Sequence, residues 1–275
     1  LQVELLRGCP DANGNYNDAG CDDYDRIAHM YICEEDGSDC MEIARWITPF
    51  DRQPHSLTDI TPFLATIRPG GNKMIKFQEA GWPNSLLTLK LRFYDENSNS
   101  ASKEYHPIWN GTVQFNPSYD SNRPPQAFSV PENATKVEFV SYITGHGWGS
   151  TGCFNCCEFC NSRHTFILNG GTYEFQKSHP DASDNNYCME LDTILEGVVP
   201  NQYGTWGYGR AGWCPGMDVT PYVVDITNYI ELGEENIIDY EACRVSGNSC
   251  VTPPTCQGDG YCPEVAMSSY IIIYE

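Results

Sequence analysis

Acidic side chains are crowded into segment 21–26, where Asp22, Asp23 and Asp25 follow a cysteine and precede Arg26. Neighbouring like charges raise the pKa of at least one carboxyl group, whereas an adjacent arginine lowers the pKa of the carboxylate with which it pairs. A strand-like apolar run begins directly after Arg26. A carboxylate at the start of a strand can act as a general acid or base. Taken alone, the segment favours an ordinary acidic turn, so the rest of the chain must decide.

Two more carboxylates occupy places where local structure would hold them still. Glu79 ends a strand-like run three residues before Trp82. Glu158 lies between Cys156 and Cys160, and a disulfide between these two cysteines would close a very small loop. Such a loop leaves the carboxylate little freedom, which is useful preorganisation for catalysis.

Two glycine-rich loops add aromatic rings and an arginine. One loop holds His146 and Trp148, and the other places Arg210 between Trp206 and Trp213. Indole rings stack on the apolar faces of sugars, while carboxylates and guanidinium groups hydrogen-bond to sugar hydroxyls. These residue types therefore fit a carbohydrate cleft. The alternative for each tryptophan is packing in a core or at a domain interface.

The histidines give no metal-binding pattern. None of the six belongs to a His-x-His or His-Glu-x-x-His motif, so we expect neither a catalytic metal nor a cofactor. The cysteines at 153, 156, 157 and 160 resemble a four-thiolate zinc cluster, but two of them are adjacent and disulfide bridging is the favoured interpretation. Oxygen-bearing side chains in segment 11–18 make calcium a further hypothesis, although the glycine is misplaced for an EF-hand.

The overall composition indicates a globular and strongly acidic protein. A chain of 275 residues with 40% hydrophobic side chains is long enough for one large or two ordinary domains. Its net charge of −21 argues against a nucleic acid or an anionic membrane as a partner. No apolar run is long enough to predict a transmembrane helix. Residues 1–7 alternate as a strand does and do not resemble a signal peptide.

The 14 cysteines predict seven disulfides and an oxidising compartment, so that the protein is secreted, periplasmic or at the cell surface. Most lie close together in sequence, at 9 and 21, 33 and 40, 153–160, 243 and 250, and 256 and 262. Cys188 and Cys214 remain as a longer-range couple. Short-range bridges fasten surface loops more than they fasten a core, so we expect long, shaped loops.

Alternating apolar and polar residues predict many short β-strands. The predicted strands are 26–33, 41–48, 73–79, 86–94, 136–144, 165–168, 172–175, 236–241 and 269–274. Asn169, Gly170 and Gly171 predict a hairpin turn, because they tolerate positive φ. No long amphipathic helix is evident, so the pattern predicts an all-β protein built from antiparallel sandwiches.

One pattern occurs once in each half of the chain. Segments 59–64 and 225–230 share the order acid, aliphatic, threonine, any residue, aromatic, aliphatic, and an alternating strand follows each after a glycine. An aspartate at this place can cap a short helical turn. The repeat predicts two similar β domains. The polar stretch 95–103 is the predicted boundary between them.

Four motifs follow one another in an order that is specific. They are Cys-Asp-Asp-Tyr-Asp-Arg at 21–26, the run 42–49, Cys-x-Glu-aromatic-Cys at 156–160 and Arg-Ala-Gly-Trp-Cys-Pro-Gly-Met at 210–217. Together they resemble the bacterial peptide-N-glycosidase F family, over nearly the whole chain. The resemblance implies two side-by-side eight-stranded antiparallel jelly-roll domains, here 1–101 and 102–275. It also implies hydrolysis of the amide that joins an N-glycan to asparagine.

The resemblance further implies roles for individual residues. Asp25 matches the family's principal catalytic aspartate, Glu158 its second essential carboxylate, and Glu79 a third carboxylate that supports activity. The implied substrate-binding residues are Tyr24, Arg26, Trp82, His146, Trp148, Arg210 and Trp213. The implied bridges are Cys9–Cys21, Cys156–Cys160 and Cys188–Cys214. Tyr24 stands where the family has tryptophan, and the order of histidine and tryptophan at 146–148 is exchanged.

The implied reaction needs an activated water, because an amide is a poor electrophile. We expect Asp25 to contact the asparagine–sugar linkage and transfer a proton, and Glu158 to act through a bridging water. Arg26 is expected to hold Asp25 ionised and, with Arg210, to stabilise developing negative charge and orient the chitobiose core. The expected partners are N-glycosylated proteins or peptides, and we expect a monomer.

Two other function classes fit parts of the sequence. A catalytically inactive N-glycan-binding module would keep the aromatic rings and arginines, but has less use for three carboxylates at one cleft. A copper-dependent monooxygenase of related fold is the weaker alternative, since its histidine pairs are missing.

Overall fold

A computed structural model of the chain describes residues 1–80, 85–94, 101–148, 152–190, 206–256 and 260–275. The described residues form antiparallel β-sheets joined by long loops, with short 3-10 turns between strands. They divide into two compact units. The prediction of an all-β protein with antiparallel sheets is therefore confirmed. None of the described helices is long and apolar enough to cross a membrane.

The first unit comprises residues 1–101, 184–209 and 213–220. Its described strands are β1 (Gln2–Gly8), β2 (Ile27–Glu34), β3 (Met41–Ile47), β4 (His55–Asp59), β5 (Lys73–Glu79) and β6 (Leu86–Arg92). They form two three-stranded antiparallel sheets, in the orders β4-β1-β6 and β3-β2-β5. The unit also holds 3-10 turns at Asp18–Gly20 and Thr61–Thr66 and one short helix, α1 (Tyr187–Glu190).

The second unit comprises residues 102–183, 210–212 and 221–275. Its strands are β7 (Ser102–Gln114), β8 (Gln126–Ser129), β9 (Lys136–His146), β10 (Ser162–Leu168), β11 (Tyr173–Ser178), β12 (Tyr222–Asp225), β13 (Glu235–Ser246), β14 (Ser249–Val251) and β15 (Glu264–Tyr274). One sheet has the order β12-β9-β15-β7, and the other β11-β10-β13-β14 with β8 also paired to β13. Two 3-10 turns lie at Asp120–Asn122 and Thr227–Tyr229.

Aromatic side chains from both sheets fill the core of the second unit. Phe139 of β9 and Phe166 of β10 are fully buried, with ring centroids 4.5 Å apart. Phe175 of β11 and Ile271 of β15 belong to the same apolar cluster. Residues of alternate position on each strand thus meet between two sheets, which is how a β-sandwich forms its core.

In the first unit, a hydrogen bond joins the two sheets, and one of the sheets carries a buried ion pair. The Trp46 indole on β3 donates a 2.9 Å hydrogen bond to the Thr58 hydroxyl on β4 of the other sheet. On β3, Arg45 and Glu42 form a fully buried ion pair at 2.7 Å, and His29 of β2 lies 2.7 Å from the same carboxylate. Buried charges of this kind are tolerated because each has an opposite charge and hydrogen bonds.

The repeat predicted from the sequence is present as one structural motif in each unit. The carboxylate of Asp59 accepts the hydroxyl of Thr61 at 2.5 Å, and that of Asp225 accepts the hydroxyl of Thr227 at 2.5 Å. A 3-10 turn follows each aspartate, as predicted. The strand orders also agree, because β4-β1-β6 corresponds to β12-β9-β15 and β3-β2-β5 corresponds to β11-β10-β13.

The predicted strands are present, often longer than expected, and five others were missed. Strands β4, β7, β8, β12 and β14 did not show a clear period of two. The described residues give six strands in the first unit and nine in the second, whereas the resemblance implies eight in each. Residues 184–209 and 213–220 group with the first unit, which differs from a second domain spanning all of 102–275. The turn at Asn169–Gly171 joins β10 to β11 with positive φ at all three residues, as predicted.

Candidate active site

The connection from β1 to β2 carries the predicted catalytic aspartate and is fastened at its start. The Cys9–Cys21 disulfide closes this loop, and both cysteines are buried. The guanidinium of Arg7 lies 3.0 Å from the sulfur of Cys9. The backbone just upstream of the acidic segment therefore has little freedom.

Asp22 organises the acidic segment itself. Its buried carboxylate accepts the Tyr24 backbone N–H at 3.0 Å and Nε of Arg26 at 2.9 Å. Asp22 thus supports the turn and forms an ion pair with Arg26. Asp25 follows within this braced turn and is half-buried. That Arg26 also holds Asp25 ionised remains a prediction.

Tyr24 and Arg26 present a surface to solvent beside Asp25. The Tyr24 ring is 39% exposed, and Cζ of Arg26 lies 5.1 Å from its centroid, within the range of a cation–π contact. An exposed ring next to an exposed guanidinium is suited to hold a sugar. Trp82, the other ring predicted for this region, lies outside the described residues.

Asp51 is an acidic neighbour that the sequence did not single out. Its backbone N–H donates to the carbonyl of Asp22 at 3.0 Å. Partial burial and the nearby carboxylates of Asp23 and Asp22 raise the pKa of Asp51. No spacing in the sequence links residue 51 to segment 21–26, since the contact arises only when the β3–β4 loop folds back.

Glu79 forms a bidentate ion pair with Arg7. At the end of β5, its two carboxylate oxygens accept Nε and Nη2 of Arg7 at 2.7 and 2.5 Å. The Arg7 side chain is 2% exposed. This bidentate pair links β5 to β1, and through Arg7 to the sulfur of Cys9. The pair fixes the Glu79 carboxylate within its own unit, and Arg7 is a partner that the sequence did not reveal. The catalytic role implied for Glu79 stays a prediction.

Glu158 lies in the connection from β9 to β10, inside the small loop closed by Cys156–Cys160. Its backbone N–H donates to the carbonyl of Gly147 at 3.0 Å, and its carbonyl accepts the Ala211 N–H at 2.8 Å. The main chain of Glu158 is thus fixed on both sides. The preorganisation expected from the sequence is present.

Arg210 gives the Glu158 carboxylate a buried partner. Nε of Arg210 lies 3.2 Å from Oε1 of Glu158, and the two side chains are 2% and 13% exposed. The ring of Phe159 lies 5.2 Å from Cζ of Arg210. Two predicted site residues separated by 52 positions are therefore brought together.

The remaining predicted aromatic residues differ in how much ring surface they offer. Trp148 is 50% exposed and forms a β-bridge to Cys157, next to Glu158. Nε2 of His146 lies 2.7 Å from the Thr144 hydroxyl on the same strand. Trp213 is only 8% exposed, so most of its ring surface packs against other protein atoms.

The cysteines form six disulfides, so the prediction of seven was wrong. The three bridges implied by the resemblance, Cys9–Cys21, Cys156–Cys160 and Cys188–Cys214, are present. The others are Cys33–Cys40, Cys243–Cys250 and Cys256–Cys262. Cys153 and Cys157 are free and buried.

Cys157 and His164 are poorly suited to acid–base or nucleophilic chemistry near neutral pH. Burial raises the pKa of Cys157 to about 12, so its thiol stays protonated. Burial also lowers the pKa of His164 to about 3. Within the described ranges, no group of three histidine, cysteine or carboxylate side chains could hold a metal ion. In segment 11–18, for which calcium binding is a hypothesis, the Asp11 carboxylate accepts the backbone N–H groups of Asn13 and Asn15 at 2.8 and 2.9 Å.

Comparison with known proteins gives one family throughout. The family model for the C-terminal part of peptide-N-glycosidase F matches residues 114–272, more than half of the chain. The peptide-N(4)-(N-acetyl-beta-D-glucosaminyl)asparagine amidase F of Elizabethkingia miricola is 26% identical over 271 residues, covering 92% of this chain and 69% of that protein.

Solved structures show the same fold. PNGase F, a glycosylasparaginase from Flavobacterium meningosepticum, superposes with a TM-score of 0.66 at 21% identity, over 100% of this chain and 84% of that one. PNGF-II superposes with a TM-score of 0.71 at 15% identity, over 100% of this chain and 56% of that one. The motifs, the paired sandwiches and the family model agree, and the chain therefore belongs to the peptide-N-glycosidase F family.

Proposed function

We propose that this protein is an amidohydrolase that releases N-linked glycans from glycoproteins or glycopeptides and converts the linked asparagine to aspartate. The observation that carries the proposal is the pairing of Glu158 with Arg210. A carboxylate held in a small disulfide loop against a buried guanidinium is preorganised for catalysis, and both residues lie in the region that the family model matches.

The proposed reaction breaks the C–N bond of the asparagine side-chain amide. The oxygen of a water adds to the amide carbon, and the nitrogen takes up a proton and leaves with the sugar as a glycosylamine. The peptide keeps a carboxyl group in place of the amide. Asp25 transfers a proton at the linkage, and Glu158 acts through a bridging water. Arg26 and Arg210 stabilise the negative charge that develops on the amide oxygen.

The other predicted residues support this reaction in different ways. Glu79, paired to Arg7, positions the loop that leads to Asp25. Tyr24 and Trp148 offer exposed ring surface to the glycan. Six disulfides favour an oxidising compartment, so we place the protein outside the cell, in a periplasm or at a cell surface.

The test is to incubate the protein with a defined N-glycopeptide and weigh both products. Release of the whole glycan, with a gain of about one mass unit on the peptide, is the expected signature of amide hydrolysis. Asp25→Asn and Glu158→Gln should each remove this activity. Asp23→Asn is the matched control, because Asp23 is exposed and lies two residues from Asp25. Binding of the glycopeptide without release would favour the inactive glycan-binding module instead.

A further inference from the structure

Two large aromatic rings lie side by side and open to solvent in the second unit. Trp148 is 50% exposed and Tyr261 is 69% exposed, the highest value among the large hydrophobic side chains in the described part of the chain. Their ring centroids are 6.1 Å apart and their planes are inclined by 50°. Single exposed rings are common on protein surfaces, but neighbouring exposed rings mark interaction sites more often.

The backbone holds the two rings in place. The N–H of Tyr261 donates to the carbonyl of Trp148 at 3.2 Å. The Cys256–Cys262 disulfide closes the loop that carries Tyr261. Gly147 has φ of +76°, and a Cβ there would lie 2.2 Å from the carbonyl oxygen of Cys262. The close approach of these two loops therefore needs glycine at position 147.

The same segment holds Glu158. The carbonyl of Gly147 accepts the Glu158 N–H at 3.0 Å, and Trp148 forms a β-bridge to Cys157. Residues 147 and 148 are thus hydrogen-bonded to the Glu158 loop on one side and to Tyr261 on the other. The pair of rings extends the region around Glu158. Trp148 is one of the substrate-binding residues implied by the sequence, whereas Tyr261 lies in a loop from which the sequence implied none.

We propose that Trp148 and Tyr261 form a carbohydrate-binding platform, which stacks on a pyranose ring of the N-glycan. The identity of this ligand rests on the proposed function. Ring faces match the apolar C–H faces of sugars, and the phenol hydroxyl of Tyr261 can reach a sugar hydroxyl. A net charge of −21 disfavours an anionic ligand at such a surface, whereas a neutral glycan carries no such penalty. Tyr261 is then a substrate-binding residue.

The platform can be tested apart from hydrolysis, because a free oligomannose glycan with its chitobiose core lacks the asparagine–sugar amide that the enzyme would cleave. Its affinity for the full chain is measured by calorimetry. Tyr261→Ala and Trp148→Ala should each weaken binding about three- to tenfold, the loss expected for one stacking contact. Tyr261→Phe should retain most of the affinity. Tyr229→Ala is the matched control, since Tyr229 contacts the Asn169 turn at the other end of β10.

Each outcome decides the proposal. Weaker binding by Tyr261→Ala with an unchanged melting temperature supports it, even if the protein releases no glycan and the proposed amidase activity fails. Equal affinity of Tyr261→Ala and the unaltered chain overturns it, even if the amidase activity is present. Absence of free-glycan binding by the unaltered chain, or an equal loss in Tyr229→Ala, overturns it as well. If the two rings bind a protein surface and not the glycan, Tyr261→Ala and the unaltered chain should have equal affinity for the glycan.

Discussion

The β1–β2 and β9–β10 connections occupy the same place in two similar sandwiches, and each carries a predicted catalytic carboxylate. Each leads from the middle of one sheet to the middle of the other and contains a disulfide. In the first connection, the arginine lies four residues from its partner Asp22. In the second, Arg210 comes from a distant part of the chain to reach Glu158. Both connections thus contain a carboxylate–arginine pair. In the first unit its two residues are close in sequence, and in the second unit only tertiary folding brings them together.

Burial follows the same division. The Arg26 side chain is 38% exposed, whereas that of Arg210 is 2% exposed. A guanidinium that reaches water is partly screened, so its ion pair contributes less to stability, whereas removal of a fully buried guanidinium leaves its partner's charge uncompensated. We therefore expect the two units to respond differently to the same type of change.

Acid should weaken the two units over different pH ranges. Burial lowers the pKa of His164 to about 3, so the folded second unit holds it neutral while the unfolded chain protonates it below about 6.5. Stability is complete above pH 6.5 and is lost as the pH falls towards 3, by up to about 5 kcal/mol. Burial works to raise the pKa of Glu42 in the first unit, but Arg45 and His29 lower it to about 2. Its contribution is lost between about pH 4.5 and 2, by about 3 kcal/mol.

Urea unfolding between pH 7 and 4 checks this difference. His164→Gln keeps a polar side chain but cannot titrate, so the variant should lose the share of the pH dependence that His164 causes. His179, whose pKa burial also lowers, keeps the rest. His55→Gln is the control, because that histidine is 53% exposed. An unchanged pH dependence in His164→Gln would show that the buried histidine does not set the acid limit of the second unit.

Replacement of the arginine in each connection should destabilise the two units by different amounts. Arg210→Ala leaves the Glu158 carboxylate without this buried partner, and we expect a loss of about 3 to 5 kcal/mol in the free energy of unfolding. Arg26→Ala should cost less, since the Arg26 guanidinium is partly exposed and Asp22 still accepts the Tyr24 backbone N–H. Chemical denaturation of both variants measures the two values. Equal losses would mean that burial does not distinguish the two pairs.

The disulfides should divide stability from activity. The chain-entropy estimate is about 3 kcal/mol for the larger loop closed by Cys9–Cys21 and about 2 kcal/mol for the smaller loop closed by Cys156–Cys160. Replacing the first pair with serines should therefore lower stability more. Replacing the second should lower glycan release more, because Glu158 lies inside its loop. Glycopeptide assays and chemical denaturation of both double variants measure the two effects. If one double variant showed both the larger loss of stability and the larger loss of glycan release, this account would be contradicted.

The smallest effect tests the repeat itself. Thr61→Ala and Thr227→Ala each remove the hydroxyl that donates to the aspartate two residues earlier. Each should cost about 1 kcal/mol, the usual value of one hydrogen bond. Thermal unfolding of both variants, with Thr→Ser as the conservative control, should show losses of similar size. A loss confined to one unit would show that the motif does not serve the same role in both.

The local parts of the fold were predictable from the sequence, and the distant parts were not. The strand period, the Asn169 turn and the aspartate–threonine motif are encoded in neighbouring residues, and each was predicted. The partners of Glu79 and Asp22 were missed, because Arg7 and Asp51 lie far away in sequence and carry no motif. Tyr261 was missed for the same reason. Glu158 and Arg210 were both named as site residues because of the family resemblance and not because of their spacing in the sequence.

The most direct test of the central claim is hydrolysis of a defined N-glycopeptide in water enriched in oxygen-18. Amide hydrolysis places one solvent oxygen in the new aspartate carboxyl group. Relative to the unglycosylated asparagine peptide, the product should therefore be heavier by about one mass unit in ordinary water and by about three in oxygen-18 water. Asp25→Asn and Glu158→Gln should show neither gain, and Asp23→Asn should show both. A peptide that keeps its asparagine, or one that keeps a single sugar after the glycan is cut, would contradict the account.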